Sequence, residues 1–441
     1  WTIRHPLLIV LALAGTIGLN FYLYTIVPKG FFPRQDTGRL IGFIRGDQSI
    51  SFQAMRGKLA DFVEIVKNDP AVENVVAFTG GGQRNTGSMF IALKPIAERK
   101  LSAEQVIARL RVKLAKEPGA TLTLNPVQDI RVGGRQSDAT YQFTLRADEL
   151  SDLRTWTPRL EQALRQATSV VDVNSDQQVK GLQTTLTVDR DTAARLGITP
   201  SMIDSALNLA FGQAVVSTIY SALNQYRVVM ELAPQHWQSP ESLNSLYVIS
   251  PVKGQVPLSA FARYELTNTS LAVNHQGQFV AATISFNLPL DASLSDAVTE
   301  INDTMARIGA PATMHGTFQG TARAFQQSLA SQPWLILAAL IAVYIVLGVL
   351  YESYVHPITI LSTLPSAGVG ALLALMLFST EFSIIALIGV ILLIGIVKKN
   401  AIMMIDFALE TERKHGKRPE EAIFEACLLR FRPIMMTTLC A

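Results

Sequence analysis

Residues 7–27 carry no charged side chain over 21 positions, and this block constrains the fold more than any other feature of the chain. An α-helix rises 1.5 Å per residue, so a run of this length matches the ~30 Å of hydrocarbon in a bilayer. Three further blocks of the same kind follow near the other end, at 334–351, 358–378 and 382–407. Four such runs argue for membrane-spanning helices rather than buried helices of a large soluble core. The stretch 28–333 between them reads as an ordinary soluble protein. Composition reflects that division: 49% of the 441 residues are hydrophobic and only 17% charged, and the apolar excess sits in the four blocks.

The first block ends at Pro28-Lys29-Gly30, a helix stop. The second is closed by Glu352 and His356-Pro357. The third holds Ser366, Gly368 and Gly370, small residues that let a neighbouring helix come close. Lys398, Lys399 and Asp406 interrupt the fourth. The connector after it carries Arg413, Lys414, Lys417, Arg418, Arg430 and Arg432, which marks the cytoplasmic side. Counting back, Arg4 and 352–357 are also cytoplasmic, and the long middle lies on the opposite, periplasmic side. Trp1 is not a Met, and the chain stops at Ala441 just after an apolar run has begun, so both ends read as cuts. Cys427 and Cys440 lie near the C-terminal end, so the middle has no disulfide framework and is held by its own core. A net charge of +3 is too weak to point to nucleic acid, and no metal-ligand, P-loop, dinucleotide or nucleophile–base spacing is visible. The chain reads as neither an enzyme nor a metalloprotein.

The middle runs twice through one pattern. Residues 39–45, 72–79 and 89–94 alternate as strands, with a helical period at 52–68; a helix at 102–116 opens on the capping box Ser102-Ala103-Glu104-Gln105 and leads to a strand at 121–124. That is the split ferredoxin-like unit. The order restarts at 140–145, 152–166 and 170–173, and resumes only at 278–287, 294–308 and 313–319. The stretch between about 179 and 270 is read as an insertion into the second unit, with its own strands and a helix at 200–210. The expected class is an α+β membrane protein. Its expected parts are 1–33 (helix and linker), 34–139 (first unit), 140–178 with 271–320 (second, split unit), 179–270 (insertion) and 330–441 (membrane helices).

Four segments carry a family resemblance: Val-Pro-Lys-Gly-Phe-Phe-Pro at 27–33, Leu-Tyr-Glu-Ser at 350–353, Lys-Lys-Asn-Ala-Ile at 398–402 and Arg-Phe-Arg-Pro-Ile-Met-Met-Thr at 430–437. The chain resembles the carboxy-terminal half of resistance–nodulation–division (RND) exporters, from the seventh transmembrane helix to the start of the eleventh. Segments 128–137 and 354–365 resemble one of two non-identical pump subunits of a single system within that family. The resemblance implies an inner-membrane drug exporter driven by the proton motive force, without a cofactor. It implies a subunit about twice this length, working as a (hetero)trimer with a homologous RND subunit, a periplasmic adaptor and an outer-membrane channel. Its substrates would be amphipathic small molecules of bile-salt or antibiotic type. Two rival readings are a membrane-anchored periplasmic module without transport and a heavy-metal exporter.

A charged side chain deep in a membrane helix costs roughly 2.5–3.5 kcal/mol and is kept where it faces a partner or a cavity. Lys399 lies ~25 Å into the fourth block, past the bilayer midplane. Adjacent lysines sit about 100° apart on a helix, so one can snorkel to headgroups while the other faces the bundle. The resemblance assigns Lys399, with Asn400, Thr437 and Arg430, to a proton relay, and leaves Lys398 to snorkelling. From position alone, Arg430 reads equally as a cytoplasmic anchor. No carboxylate lies at mid-membrane; the resemblance places an aspartate pair on a helix of the other half, with Lys399 as its ammonium partner.

The resemblance also places a drug pocket between the two ferredoxin-like units. Alternation sets Tyr141, Phe143 and Leu145 on one strand face and Ile41 and Phe43 on another. Phe90 follows a Gly-rich loop, Gly80, Gly81, Gly82, Gln83, Arg84 and Asn85, that matches the family's switch loop but is shorter and lacks its phenylalanines. Aromatic stripes on strands serve equally as core. Within the insertion, a turn at Val252, Lys253, Gly254 and Gln255 joins two strands; it resembles the hairpin that faces the adaptor or outer-membrane channel, and reads equally as a plain surface hairpin.

Overall fold

The computed structural model describes residues 5–80, 83–130, 132–134, 137–237 and 239–440. Four of its helices are long and apolar enough to cross a membrane: α1 (Pro6–Ile26), α6 (Gly320–Tyr351), α7 (Val355–Leu377, built from two consecutive helical stretches) and α8 (Ile384–His415). Four helices that pack on the sheets, α2–α5, lie between α1 and α6, and α9 is Pro419–Cys440. The outer faces of the four are apolar and exposed, Leu7, Val349 and Leu392 among them, as helices surrounded by lipid require.

Polar ties at small residues join these helices. Asn20 Nδ2 donates to the Pro365 carbonyl at 2.7 Å, and a Cβ on Gly368 would collide with the Asn20 side chain. Tyr24 Oη meets Gln332 Oε1 at 3.2 Å, joining α1 to α6. After α1, Pro28–Phe31 runs beside the entry to α8: Phe382 N–H donates to the Pro28 carbonyl at 2.8 Å and Ile384 N–H to the Phe31 carbonyl at 3.2 Å.

The first sheet comprises β1 (Arg39–Gly46), β2 (Val72–Thr79), β3 (Thr86–Leu93) and β4 (Ala120–Pro126), ordered β2-β3-β1-β4 and antiparallel throughout. Helices α2 (Phe52–Lys67) and α3 (Ala103–Leu114) bury Met55, Phe62, Val66, Val106 and Leu110 against it. Ser51 caps α2, and the capping box of Ser102 and Gln105 forms at α3.

The second sheet repeats the order. β5 (Tyr141–Ala147) lies between β7 (Phe279–Asn287) and β8 (His315–Gln319), and β6 (Val171–Ser175) pairs with β7. Helices α4 (Leu150–Arg165) and α5 (Leu294–Arg307) cover one face through Leu153, Leu160, Leu164, Ala297 and Ile301. A buried apolar side chain of this size stabilises by about 1.5–3 kcal/mol. Helix α6 continues directly from β8, and its first turns insert Ala322 and Phe325 into this same core. The second membrane block thus belongs to a helix starting fourteen residues before Trp334.

Between β6 and β7 the chain forms a separate compact unit, Gln178–Ala272. Three antiparallel pairs build it: Gly181–Val188 with Ala262–Thr269, Ala214–Tyr220 with Gln225–Met230, and Tyr247–Ser250 with Gly254–Pro257. Ile198, Ile203, Val248, Leu258 and Phe261 form its core.

Candidate functional site

Two places bring sequence-singled residues together: a cavity of about 390 Å³ beside the first and second sheets, and a polar contact between α8 and α9.

Ile41, Phe43 and Tyr141 line the cavity, with Phe31, Phe32, Leu288 and Leu290 completing apolar walls. Its charged groups are paired. Arg34 Nη1 meets Glu104 Oε1 at 3.2 Å, and its Nη2 donates to the Ala292 carbonyl at 3.1 Å. Arg111 grips Asp172 bidentately at 2.8 and 2.7 Å. Asn287 Nδ2 donates to Asn125 Oδ1 at 2.8 Å and to Asp172 Oδ2 at 3.0 Å, closing a hydrogen-bonded seam between the sheets. Bidentate, charge-assisted geometry makes that seam stronger than a neutral contact. The Tyr141 ring stacks on Phe286 with centroids 5.7 Å apart. Burial pushes its hydroxyl up to about 12, so it stays protonated at physiological pH. Nearby, burial also raises the Glu381 carboxyl, with Arg34 opposing and Glu104 and Asp296 adding to the rise.

Three residues expected in a pocket lie elsewhere. Phe143 and Leu145 are fully buried in the core of the second sheet, beneath α4 and α5. They share a face with Tyr141, but Tyr141 stands at the strand's first position, past the cover of the helices. Phe90 is the cross-strand partner of Ile41; one strand further out, it misses the cavity, stays exposed and stacks on Phe78 at 6.0 Å. Arg34, Glu104, Arg111, Asn125, Asp172 and Asn287 were not legible as site residues, since no local spacing links them.

Of the Gly-rich loop, Gly81 and Gly82 lie outside the described residues. Gly80 takes a left-handed φ of +94°, which glycine alone adopts without cost. Gln83 and Arg84 are exposed. Asn85 is buried and bonded both ways to Gly46, so it belongs to the anchor of the loop rather than its tip.

In the membrane part, Lys399 is exposed and Lys398 half-buried, and neither forms an ion pair among the described residues. Asn400 Nδ2 donates to Thr438 Oγ1 at 3.2 Å, joining α8 to α9. Thr437, which the resemblance assigns to the relay, donates to the Ile434 carbonyl of its own helix at 3.1 Å. Arg430 lies over the Phe407 ring at 4.9 Å, a cation–π contact with α8.

The hairpin of the separate unit turns at Pro251–Lys253, so Gly254 and Gln255 belong to its second strand and only Val252 and Lys253 to the turn. Ser250 Oγ accepts from the N–H groups of Val252 and Lys253 at 3.1 and 3.0 Å, and Val252 is exposed.

The sequence profile of the AcrB/AcrD/AcrF family matches residues 1–441. The chain is 60% identical over 441 residues to the multidrug resistance protein MdtC of Yersinia enterocolitica, covering all of this chain and 43% of that protein. It is likewise 60% identical to MdtC of Pectobacterium carotovorum, with the same coverage. The chain therefore spans less than half the length of these relatives. Among solved structures, a heavy metal efflux pump superposes with a TM-score of 0.85 at 20% identity, covering 97% of this chain and 45% of that one. At that identity the likeness shows the fold alone.

Proposed function

The chain belongs to the AcrB/AcrD/AcrF family of RND transporters, and from that premise we propose that it exports amphipathic small molecules, of bile-salt or antibiotic type, across the bacterial inner membrane at the expense of the proton gradient. The whole subunit would act in a trimer with a homologous subunit, an adaptor and an outer-membrane channel. The name of the MdtC relatives supports the multidrug reading.

The observation that carries the proposal is the cavity. Its walls combine apolar and aromatic side chains with neutral polar ones such as Asn125, Gln128 and Gln142, and its two arginines are neutralised by Glu104 and Asp172. Such a concavity suits a molecule with a large apolar body and a small polar part. In the proposed cycle the Lys399 ammonium neutralises carboxylates from the other half of the subunit. Their protonation frees it, because loss of the neighbouring negative charge removes its attraction. Asn400 holds α8 on α9 through Thr438, and Arg430 stays on α8 through Phe407.

The test is export of a fluorescent bile-salt analogue from cells carrying the full-length subunit with its natural partners. Tyr141→Ala and Ile41→Ala should each raise the concentration for half-maximal export several-fold at equal membrane levels. Unchanged export by the double variant would rule out the cavity as a substrate site.

A further inference from the structure

Helix α6 is held against the cavity wall at its start and against α8 at its end. It is one helix of 32 residues, Gly320–Tyr351, with Pro333 inside it, about 48 Å long. At its start, Gly320 takes a left-handed φ of +58° and packs on Gly134: a Cβ on either glycine would stand 3.2 Å from the other's Cα. Gly133, Gly134 and Thr321 all line the cavity. One turn on, Ala322 and Phe325 are locked into the core of the second sheet. The start of α6 therefore cannot shift without moving the cavity wall.

At its other end, Tyr351 Oη donates to Asp406 Oδ1 of α8 at 2.6 Å. Asp406 follows Lys399 by seven residues, two turns along the same helix face and about 10.5 Å away. Glu352 then takes a left-handed φ of +49° and ends the helix. Apolar helices gain no hydrophobic drive to associate in lipid, so packing and polar ties of this kind hold them together.

We propose that Tyr351 is a positioning residue that couples the two sites: its hydrogen bond to Asp406 makes α6 follow α8, so that a shift of the Lys399 helix reaches the cavity wall. This rests on the transport reading above. Neither residue touches substrate or the relay; the bond transmits displacement.

The experiment uses the full-length subunit reconstituted with its natural partner subunits in proteoliposomes. Proton flux and export of the fluorescent bile-salt analogue are measured separately. Y351F, D406L and the double variant should each lower the substrate moved per proton at least about tenfold, the weight one hydrogen bond to a charged acceptor typically carries. Proton flux itself should persist. Because all three remove one and the same bond, the double should be no worse than either single. Y351R, whose guanidinium can donate to the same carboxylate, should regain most of the ratio. If Y351F does not reach the membrane, D406L makes the same test from the acceptor's side. An unchanged ratio, an equal fall of flux and export, or multiplying losses in the double variant would each overturn the proposal. Lys399→Ala is run in parallel: persistent proton flux there would count against the transport mechanism and not against the coupling bond.

Discussion

The ring of Phe143 fills the space that a side chain at position 316 would need; a Cβ on Gly316 would fall on the ring itself. The two residues sit on neighbouring strands, and Phe318 packs on Phe143 with centroids 4.8 Å apart. Phe143 is thus a structural residue whose fit depends on glycine opposite. Gly316→Ala is expected to destabilise by about 1–3 kcal/mol through overpacking, read as a lowered melting temperature of the purified full-length subunit. Phe143→Ala should cost about 3–5 kcal/mol. The pair should be clearly less than additive. Normal stability with altered export in Phe143→Ala would return it to the pocket.

Arg111→Met removes both donors that hold Asp172 and leaves that carboxylate to Asn287 alone. A loss of about 1–3 kcal/mol is expected, with partial recovery in R111M/D172N. Thermal unfolding of the three variants tests this. Equal stability of R111M and the parent would show the seam to be incidental.

Glu381 carries a pH dependence. Burial raises its carboxyl above the usual glutamate range, and Arg34 only partly opposes this. The folded state then binds more protons than the unfolded state between the ordinary and the raised value. Stability should therefore fall as pH rises through that window. Glu381→Gln should flatten this fall, improving stability at neutral pH and changing little in acid. Melting curves taken from acid to neutral pH would contradict the assignment if parent and variant ran parallel.

The elements were legible where local physics decides them. Met55, Phe62 and Val66 repeat along one face of α2, and the Ser102–Gln105 capping box reads directly from four letters. The start of α6 was not legible, because residues 320–333 are polar enough to look like a linker and become helical by burying Ala322 and Phe325. Alternation put Tyr141, Phe143 and Leu145 on one face but does not say how far along the strand the covering helices reach. The relay motif named Lys399, Asn400 and Thr437 but not the rotation of α9, which turns Thr438 toward Asn400. The cavity's paired charges were invisible for a simpler reason: Arg111 and Asp172 are 61 residues apart, and only folding makes them neighbours.

Asn400→Ala tests that interhelical contact. It removes the donor to Thr438 and should reduce export several-fold, while Thr437→Ala, whose hydroxyl bonds within its own helix, should have the smaller effect. Export at equal membrane levels decides. The reverse ranking would mean that α9 is rotated during transport.

The central claim is that Lys399 carries the response to protonation. Its most direct measurement is substrate-stimulated proton flux in proteoliposomes of the full-length subunit and its natural partners, comparing Lys399→Ala with Lys398→Ala. The same substitution is made in the homologous partner subunit. In the proposed relay Lys399 is the cation that compensates carboxylates of the other half, so removing it takes away the group that responds to their protonation. The expected result is flux at background in the double Lys399→Ala assembly and near-parental flux with Lys398→Ala. Parental flux in the double Lys399→Ala assembly would contradict the account.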